Sequence, residues 1–256
     1  MLRNINKLKG MPIFAADGEI GTVEYLFFDD EGWAIRYLVV NTGNWLTGRE
    51  VLVSPKSISH VNWVEGGVNI SLTKEQVEQS PAIDVLTPIS RLQESALMNY
   101  YDHPYYWDNS EFATMAPLST PIQEEVTPGQ TKMQTPVTSA STDTRIRSTN
   151  TVTGYPIVAT DEEFGHVEDF VIDDESWEIR YLVIATRNWW PGKKVIIAPQ
   201  WINSVNWVDA KVHIELSSEA IKNSPEFNET TLISREYENQ LYNYYGHPGY
   251  WQNKLS

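Results

Sequence analysis

Short apolar runs, separated by turn-forming residues, fill residues 10–72 of the chain. Runs of this length that are rich in β-branched and aromatic residues and bounded by Gly, Pro, Asn or Asp are typical of β-strands. They predict strands at 10–15, 20–28, 33–40, 51–54, 58–64 and 68–72. The acidic stretch Asp29-Asp30-Glu31-Gly32 separates the second strand from the third and predicts a hairpin turn. Short strands at this regular spacing predict a compact antiparallel sheet or a small closed barrel.

The pattern becomes helical after the last predicted strand. Thr73 supplies an N-cap hydroxyl for a short helix, and Ser80-Pro81 ends it. A second helix is predicted at about 90–101. It leads into an aromatic tail, Tyr100-Tyr101-Asp102-His103-Pro104-Tyr105-Tyr106-Trp107.

The whole pattern occurs twice. Laying Arg3 on Arg147 aligns two segments without a gap as far as Trp107 on Trp251, and about half of the paired positions are identical. Such self-similarity indicates one structural unit used twice. We therefore predict two tandem units, 3–107 and 147–251, each mainly β with short C-terminal helices.

Residues 108–146 differ in composition from both units, because Thr, Ser and Pro dominate there. Such a segment cannot bury enough apolar area to offset its ordering entropy, so we predict a flexible linker. A linker of this length permits several placements of the two units. They could pair with each other about a pseudo-twofold axis or form a homo-oligomer.

Charge and composition exclude several classes of function. The net charge of −15 argues against nonspecific binding to nucleic acid or anionic lipid. The absence of Cys excludes disulfides, thiolate catalysis and cysteine metal sites. No stretch of 18 apolar residues is present, so we expect no membrane insertion and a cytoplasmic location. Common local motifs of nucleotide-binding and hydrolytic enzymes are also absent.

Several short motifs recur in the same order in both units. They are a Gly-x-Pro opening, the acidic turn, the run Ile35-Arg36-Tyr37-Leu38-Val39, a proline after the next strand (Pro55, Pro199), and an Ile-Ser-Arg helix start leading to Tyr-Tyr-x-His-Pro-x-Tyr-Trp. This order resembles bacterial PRC-barrel domain proteins, which include the barrel of the photosynthetic reaction-centre H subunit and the C-terminal barrel of the ribosome maturation factor RimM. The resemblance implies two small β-barrels that dock on other macromolecules, with no catalytic residue and no cofactor. The chain has neither a membrane-anchoring helix of the H-subunit kind nor an N-terminal domain of the RimM kind, so the resemblance supports the module and not a photosynthetic or ribosomal role.

The acidic turns, Asp29-Asp30-Glu31 and Asp173-Asp174-Glu175, are candidates for holding a hard cation. They lack the alternating oxygen ligands and the distant bidentate acid of a calcium loop. We expect solvated hairpin turns and leave a metal site undecided.

Glu24 and Arg36 recur as Glu168 and Arg180. In a hairpin centred on Asp30 each acid would lie opposite its arginine, so we expect a cross-strand ion pair. The alternative is a proton-transfer acid of a carboxylate-based hydrolase.

The aromatic tail and its histidine allow two interpretations. We expect Tyr100, Tyr106 and Trp107 to fold back and close an open end of their own barrel. The alternative is an interface with the other unit or a second chain, in which Tyr101, Tyr245, His103 and His247 would take part. We expect the two histidines to pack among aromatic rings rather than to catalyse or bind metal.

A tryptophan lies in the loop after the third strand of each unit. Trp45 corresponds to Trp189, and the second unit adds Trp190. The recurring pair could plug a barrel mouth, whereas Trp190 is the better candidate for an exposed contact.

The sequence as a whole favours a non-enzymatic protein-interaction or scaffold module whose protein partner it does not identify. A small-ligand or metal-binding protein, with its site at the acidic turns and Trp loops, is the alternative, and a carboxylate-based hydrolase is a further one.

Overall fold

The computed structural model describes residues 1–46, 48–85, 89–107, 145–186, 193–228 and 233–252. The predicted linker lies outside these ranges except for its last two residues. Trp189 and Trp190 also lie outside the described residues.

Each unit is a seven-stranded sheet, counting one strand that the other unit contributes. The strands of the first half are β1 (Leu2–Asn4), β2 (Pro12–Ala15), β3 (Gly18–Asp29), β4 (Ala34–Asn41), β5 (Glu50–Val53), β6 (Ile58–Asn62) and β7 (Gly67–Ile70). Those of the second half are β8 (Ile146–Ser148), β9 (Pro156–Val158), β10 (Glu163–Asp173), β11 (Ile179–Ala185), β12 (Lys194–Ile197), β13 (Ile202–Asn206) and β14 (Lys211–Ile214). The predicted strands are thus confirmed, with ends that shift by a few residues.

The two sheets have the same strand order, β5-β4-β3-β2-β7-β6 and β12-β11-β10-β9-β14-β13. The predicted antiparallel pairing is confirmed except at one place in each unit. Strand β2 pairs with β7 in parallel, and β9 pairs with β14 in parallel. The reason is topological: the chain returns to β2 only after four further strands, so no tight hairpin fixes the direction of this pair. Within the described residues no strand pairing joins β5 to β6, so the hydrogen bonds do not close a complete ring.

The described residues also form five short α-helices. They are α1 (Lys74–Glu78), α2 (Arg91–Tyr100), α3 (Thr149–Val152), α4 (Ser218–Lys222) and α5 (Arg235–Tyr245). Thr73 and Ser90 cap α1 and α2 in full capping boxes with Gln76 and Gln93. In the described part of the chain no helix has the length and apolarity needed to cross a membrane.

The inward faces of both sheets are filled with apolar side chains. On β3 and β4 these include Val23, Leu26, Phe28 and Leu38, each no more than 1% exposed. Buried residues of both units form one continuous cluster, and the rings of Phe28 and Phe170 join the two halves with centroids 5.9 Å apart. The core therefore runs across the boundary between the repeats.

The first strand of each unit belongs to the sheet of the other unit. Strand β1 pairs with β10, placing Leu2 opposite Asp173 and Asn4 opposite Val171. Strand β8 pairs with β3 in the same register, placing Ile146 opposite Asp29 and Ser148 opposite Phe27. The two units thus exchange their N-terminal strands reciprocally. This is the pseudo-twofold pairing of the units that the sequence analysis gave as one of its alternatives. We call this arrangement the strand exchange.

Candidate interaction surface between the two units

The acidic turn of unit 1 is held by the beginning of unit 2. The Asp29 carboxylate accepts hydrogen bonds from the backbone N–H of Glu31 at 3.0 Å and from Arg36 at 2.8 Å, which shapes the turn. Asp30 pairs with Arg147 of β8 at 2.7 Å, and Glu31 pairs with Arg145. The turn is therefore an inter-unit contact instead of a freely solvated loop.

The second acidic turn repeats these contacts. Asp173 accepts from the backbone N–H of Glu175 at 2.9 Å. Asp174 accepts from Arg3 of β1 at 3.3 Å and also pairs with the N-terminal amine. Because ion pairs across both contacts use the same turn position, each acidic turn anchors the strand that arrives from the other unit.

The two turns also touch each other. The backbone N–H of Ile179 donates to the carbonyl of Trp33 at 2.7 Å, and that of Ile35 donates to Trp177 at 2.8 Å. Both tryptophans adopt positive φ, 49° and 59°, which is uncommon for a bulky residue. The same strained conformation in both copies directs each Trp carbonyl to the opposite unit.

A groove lies along this boundary on one side of the molecule. It has a volume of about 760 Å³ and runs between β6 and the acidic turn of unit 2. Its lining includes Ile58, Ser59, His60 and Val61 of β6. The side chains of consecutive strand residues point alternately to opposite faces of a sheet. Since all four of these residues line the groove, the groove faces the edge of β6 and not one face of the sheet. We call this space groove 1.

The remaining lining of groove 1 comes from both units. Unit 1 adds Arg36, Lys56, Trp63, Met98 and Tyr106, and unit 2 adds Asp174, Glu175, Ser176 and Trp177. Lys56 donates to the carbonyl of Pro104 at 3.0 Å and has no carboxylate partner among the described residues. Burial lowers the pKa of Lys56, and the nearby charge of Arg36 lowers it further.

The equivalent space on the other side is divided into two smaller hollows, of about 370 and 400 Å³. At the equivalent positions Lys56 is replaced by Gln200, Met98 by Tyr242 and Ser57 by Trp201. The Gln200 amide donates to the Tyr242 hydroxyl at 3.1 Å, and the Trp201 and Tyr242 rings lie 5.1 Å apart. The space on this side is therefore divided where unit 1 leaves one continuous groove, and the two hollows together are about as large as groove 1.

Each aromatic tail is fixed by a buried glutamate that the sequence reasoning missed. The carboxylate of Glu94 accepts from Tyr37 at 3.2 Å and Tyr106 at 2.8 Å, and it pairs with Arg91 at 3.0 Å. Burial raises the pKa of Glu94, while these hydrogen bonds and the arginine charge lower it. Glu238 repeats the arrangement with Tyr181 and Tyr250. The recurrence of a glutamate at the fourth helical position in both copies was the available signal.

The tail packs on its own unit, as expected for Tyr106 and Trp107. Both are half-buried against Tyr25, Phe27 and other residues of a second cluster. Tyr25 and Phe27 alternate with the inward residues of β3, so the tail covers the outer face of the sheet instead of a barrel end. The expectation for Tyr100 is wrong, because it is 38% exposed and its hydroxyl donates to the carbonyl of Gln76 at 2.9 Å.

Tyr101, Tyr245 and the two tail histidines do not line groove 1 or either of the two hollows. Tyr101 and Tyr245 are half-buried and pack against the core. The His103 ring lies 5.9 Å from that of Tyr101, and its Nε2 is 3.5 Å from the Ser57 hydroxyl. His247 is exposed and stacks on Trp201 at 5.4 Å. The expected packing among aromatic rings is confirmed, and the roles of these four residues in partner binding stay predictions.

Trp45 is half-buried against the core, with the Lys74 ammonium 4.8 Å from its ring centre. This placement agrees with a covering role for the loop tryptophan. A contact role for Trp45, and any role for Trp189 and Trp190, stay predictions.

The expected pairing of Glu24 with Arg36 is wrong. Register shifts between Val23 and Tyr25 and between Phe27 and Phe28 move the two side chains out of opposition. Arg36 pairs with Asp29 instead, and Arg180 pairs with Glu178. Glu24 is exposed, and the interiors of both sheets are filled with apolar residues, so no recurring acid faces an internal cavity in the described part of the chain.

Glu24 and its repeat Glu168 have different neighbours. Glu168 pairs with Lys194 at 2.7 Å. In unit 1 the residue equivalent to Lys194 is Glu50, which lies beside Glu24. Burial, a hydrogen bond with Glu24 and the charges of Glu24 and Asp84 raise the pKa of Glu50 to about 7.

The ligand-binding alternatives find limited support in the geometry. Among the described residues no group of three or more His, Asp or Glu side chains is arranged to hold a metal ion. The acidic turns use their carboxylates on Arg147, Arg145 and Arg3.

A family model of the PRC-barrel domain matches the chain twice, at residues 2–77 and 146–220. Each match begins at the exchanged strand and ends in the first helix after the sheet, so the second helix and the aromatic tail lie beyond it. No curated protein sequence matches the chain.

Proposed function

This chain belongs to the PRC-barrel domain family, and we propose that it acts as a non-enzymatic scaffold that binds a protein partner through the surface where its two units meet. The observation that carries the proposal is the strand exchange. It makes two repeats into one body and creates surfaces that neither repeat has alone. Family membership supports a module of this general kind.

The recurring polar side chains are bonded to other residues of the fold, which supports a non-enzymatic role. Glu94 is used by tyrosine hydroxyls and Arg91, and Asp30 is used by Arg147. Catalysis would require an acid, base or nucleophile directed at a substrate. These residues are directed at other parts of the fold.

A protein partner is supported by the form of the inter-unit surface. Groove 1 combines the edge of β6 with Trp63, Tyr106 and Lys56, a cation that has no carboxylate partner among the described residues. Aromatic side chains and strand edges are common elements of protein recognition.

Site-directed photo-crosslinking in lysate of the source organism tests the proposal. A photoreactive amino acid is placed at Ser59 in groove 1, at Ser204 in the equivalent hollow and at Glu162 on a distant exposed turn. We expect one protein to be crosslinked from a boundary position and not from Glu162. The absence of any position-specific product, in soluble and membrane fractions alike, would reject a partner-binding role for this surface.

A further inference from the structure

The two sides of the unit boundary have the same backbone and different side chains. Groove 1 is one continuous space, while its equivalent is divided into two hollows, one of which is lined by Gln200 and Tyr242. Two copies of one fold provide an internal comparison, because any feature that the fold itself requires should be present in both. Among the described residues, an undivided groove with a lysine at the start of its edge strand is found only in unit 1, so the fold does not require this combination.

The first recognition element of groove 1 is the edge of β6. This strand pairs with β7 on one side and has no neighbour on its other side among the described residues. An edge strand presents unpaired backbone N–H and C=O groups, which is a template for a further strand. Ser59 and His60 are exposed, so side chains do not cover this edge.

The second element is the charge at the start of β6. The Lys56 ammonium lies at this end of groove 1 next to Arg36, whose own charge is engaged by Asp29 at 2.8 Å. The acid on the opposite wall, Asp174, is paired with Arg3 and the N-terminal amine. Glu175 is the exposed acid farther along the same wall, and no ion pair within the described part of the chain engages it. A carboxylate would therefore be favoured at the Lys56 end and disfavoured beside Glu175.

We propose that groove 1 binds an extended peptide segment of a partner protein, which adds as a strand to the free edge of β6 and places one carboxylate on the Lys56 ammonium. This inference rests on the proposed function and names the class of its partner. Backbone hydrogen bonds supply affinity in strand addition, and the single charge contact fixes the register.

The test uses the full chain and a blocked peptide of the same length as β6, alternating Thr and Val with one Glu at the first or the last position. Binding is measured by calorimetry. We expect one of the two peptides to bind and its Gln-containing version to bind about tenfold more weakly, because a charge-assisted hydrogen bond is lost. Glutarate alone should not compete, since it lacks a strand backbone.

Variants taken from the other repeat provide matched controls. Lys56→Gln places in groove 1 the residue that unit 2 carries at Gln200, so the fold already accommodates it. This variant should bind the Glu peptide about tenfold more weakly than the original protein does, and it should bind the Glu and Gln peptides equally.

Methylation of the peptide backbone distinguishes strand addition from adsorption. Only alternate residues of an added strand direct their N–H groups at the edge. N-methylation of residues of one parity should abolish binding, and methylation of the other parity should leave it unchanged.

The inference is overturned if neither peptide binds, if the Gln version binds equally, if glutarate competes, or if both methylation patterns act alike. A protein crosslinked at the boundary with no peptide binding would reject this inference and leave the proposed function standing. Peptide binding without a crosslinked protein would reject the proposed function in the cell and support the site.

Discussion

The backbone N–H of Ile35 donates a hydrogen bond to the carbonyl of Trp177, 2.8 Å away in the other repeat. Its counterpart joins Ile179 to Trp33 at 2.7 Å. The turns at these positions also receive the exchanged strands through Asp30 and Asp174. Each acidic turn thus lies beside a backbone hydrogen bond to the other unit and also pairs with the strand that the other unit contributes.

Cutting the chain between the units should not separate them. We predict that, after complete cleavage at a protease site inserted within residues 108–144, the two parts elute together in size-exclusion chromatography at about 1 µM, because apolar cores and exchanged strands of this kind behave as an obligate interface. A denaturing gel establishes that cleavage is complete. Two separately eluting folded parts would contradict the strand exchange.

Removing the charge of one acidic turn should weaken the exchange. We predict that Asp30→Asn lowers the free energy of unfolding by about 1–2 kcal/mol, because the Arg147 guanidinium loses a charged acceptor at a site with little exposure. Urea denaturation measures the change. The control Glu163→Gln breaks an exposed pair with Lys211 and should change stability by less than about 0.5 kcal/mol. Equal effects of both variants would show that the turn contact has no special weight.

Transferring a pair from unit 2 to unit 1 should stabilise the protein at high pH. In the folded state the pKa of Glu50 is raised to about 7, above the ordinary value of 4.5, so its contribution to stability is present below pH 4.5 and is lost as pH rises towards 7. Glu50→Lys removes this loss and places a lysine beside Glu24, as Lys194 lies beside Glu168.

We therefore predict that Glu50→Lys raises the free energy of unfolding by about 0.5–1 kcal/mol at pH 8 and gives no such gain at pH 4.5. Urea denaturation at the two pH values measures both. The reverse variant Lys194→Glu should lower stability at pH 8. An equal gain at both pH values would contradict the assigned cause.

The buried glutamate should require its tyrosine partners. We predict that Tyr106→Phe costs about 1–2 kcal/mol, because the half-buried tail loses a hydrogen bond to a buried carboxylate. Tyr105→Phe is the matched control, since that hydroxyl bonds the exposed Asn99 and its loss should cost less than about 0.5 kcal/mol. Proteolysis of residues 101–107 should be faster only in the first variant. Equal proteolysis of the two variants would show that Glu94 does not fix the tail.

The local elements could be predicted from the sequence because each has a local cause. The hydroxyls of Thr73 and Ser90 cap helices and so indicate where α1 and α2 begin. The acidic turn is indicated by the interruption between two apolar runs. Strands β1 and β8 were missed because three residues carry no alternation to detect. Their partners lie in the other repeat, and nothing in a local pattern shows which unit a strand joins.

The candidate site was less predictable than the fold. Counting residues from the turn predicts that Glu24 lies opposite Arg36. Two register shifts, which leave no clear signal in the sequence, prevent this pairing. Groove 1 is lined by Met98, where the divided space in unit 2 is lined by the larger Tyr242. This size difference is visible in the repeat, but its meaning depends on knowing that the position borders the groove.

Because of the strand exchange, neither sheet can be completed until both repeats have been synthesised. Arg147 follows its partner Asp30 by 117 residues. While a ribosome makes the first repeat, the end of β3 lacks its neighbour on the side that β8 later occupies, and β1 must wait for an acceptor that does not yet exist. The nascent first repeat is therefore an incomplete protein that exposes a pairing edge, and neighbouring ribosomes on one message would present the same edge to each other.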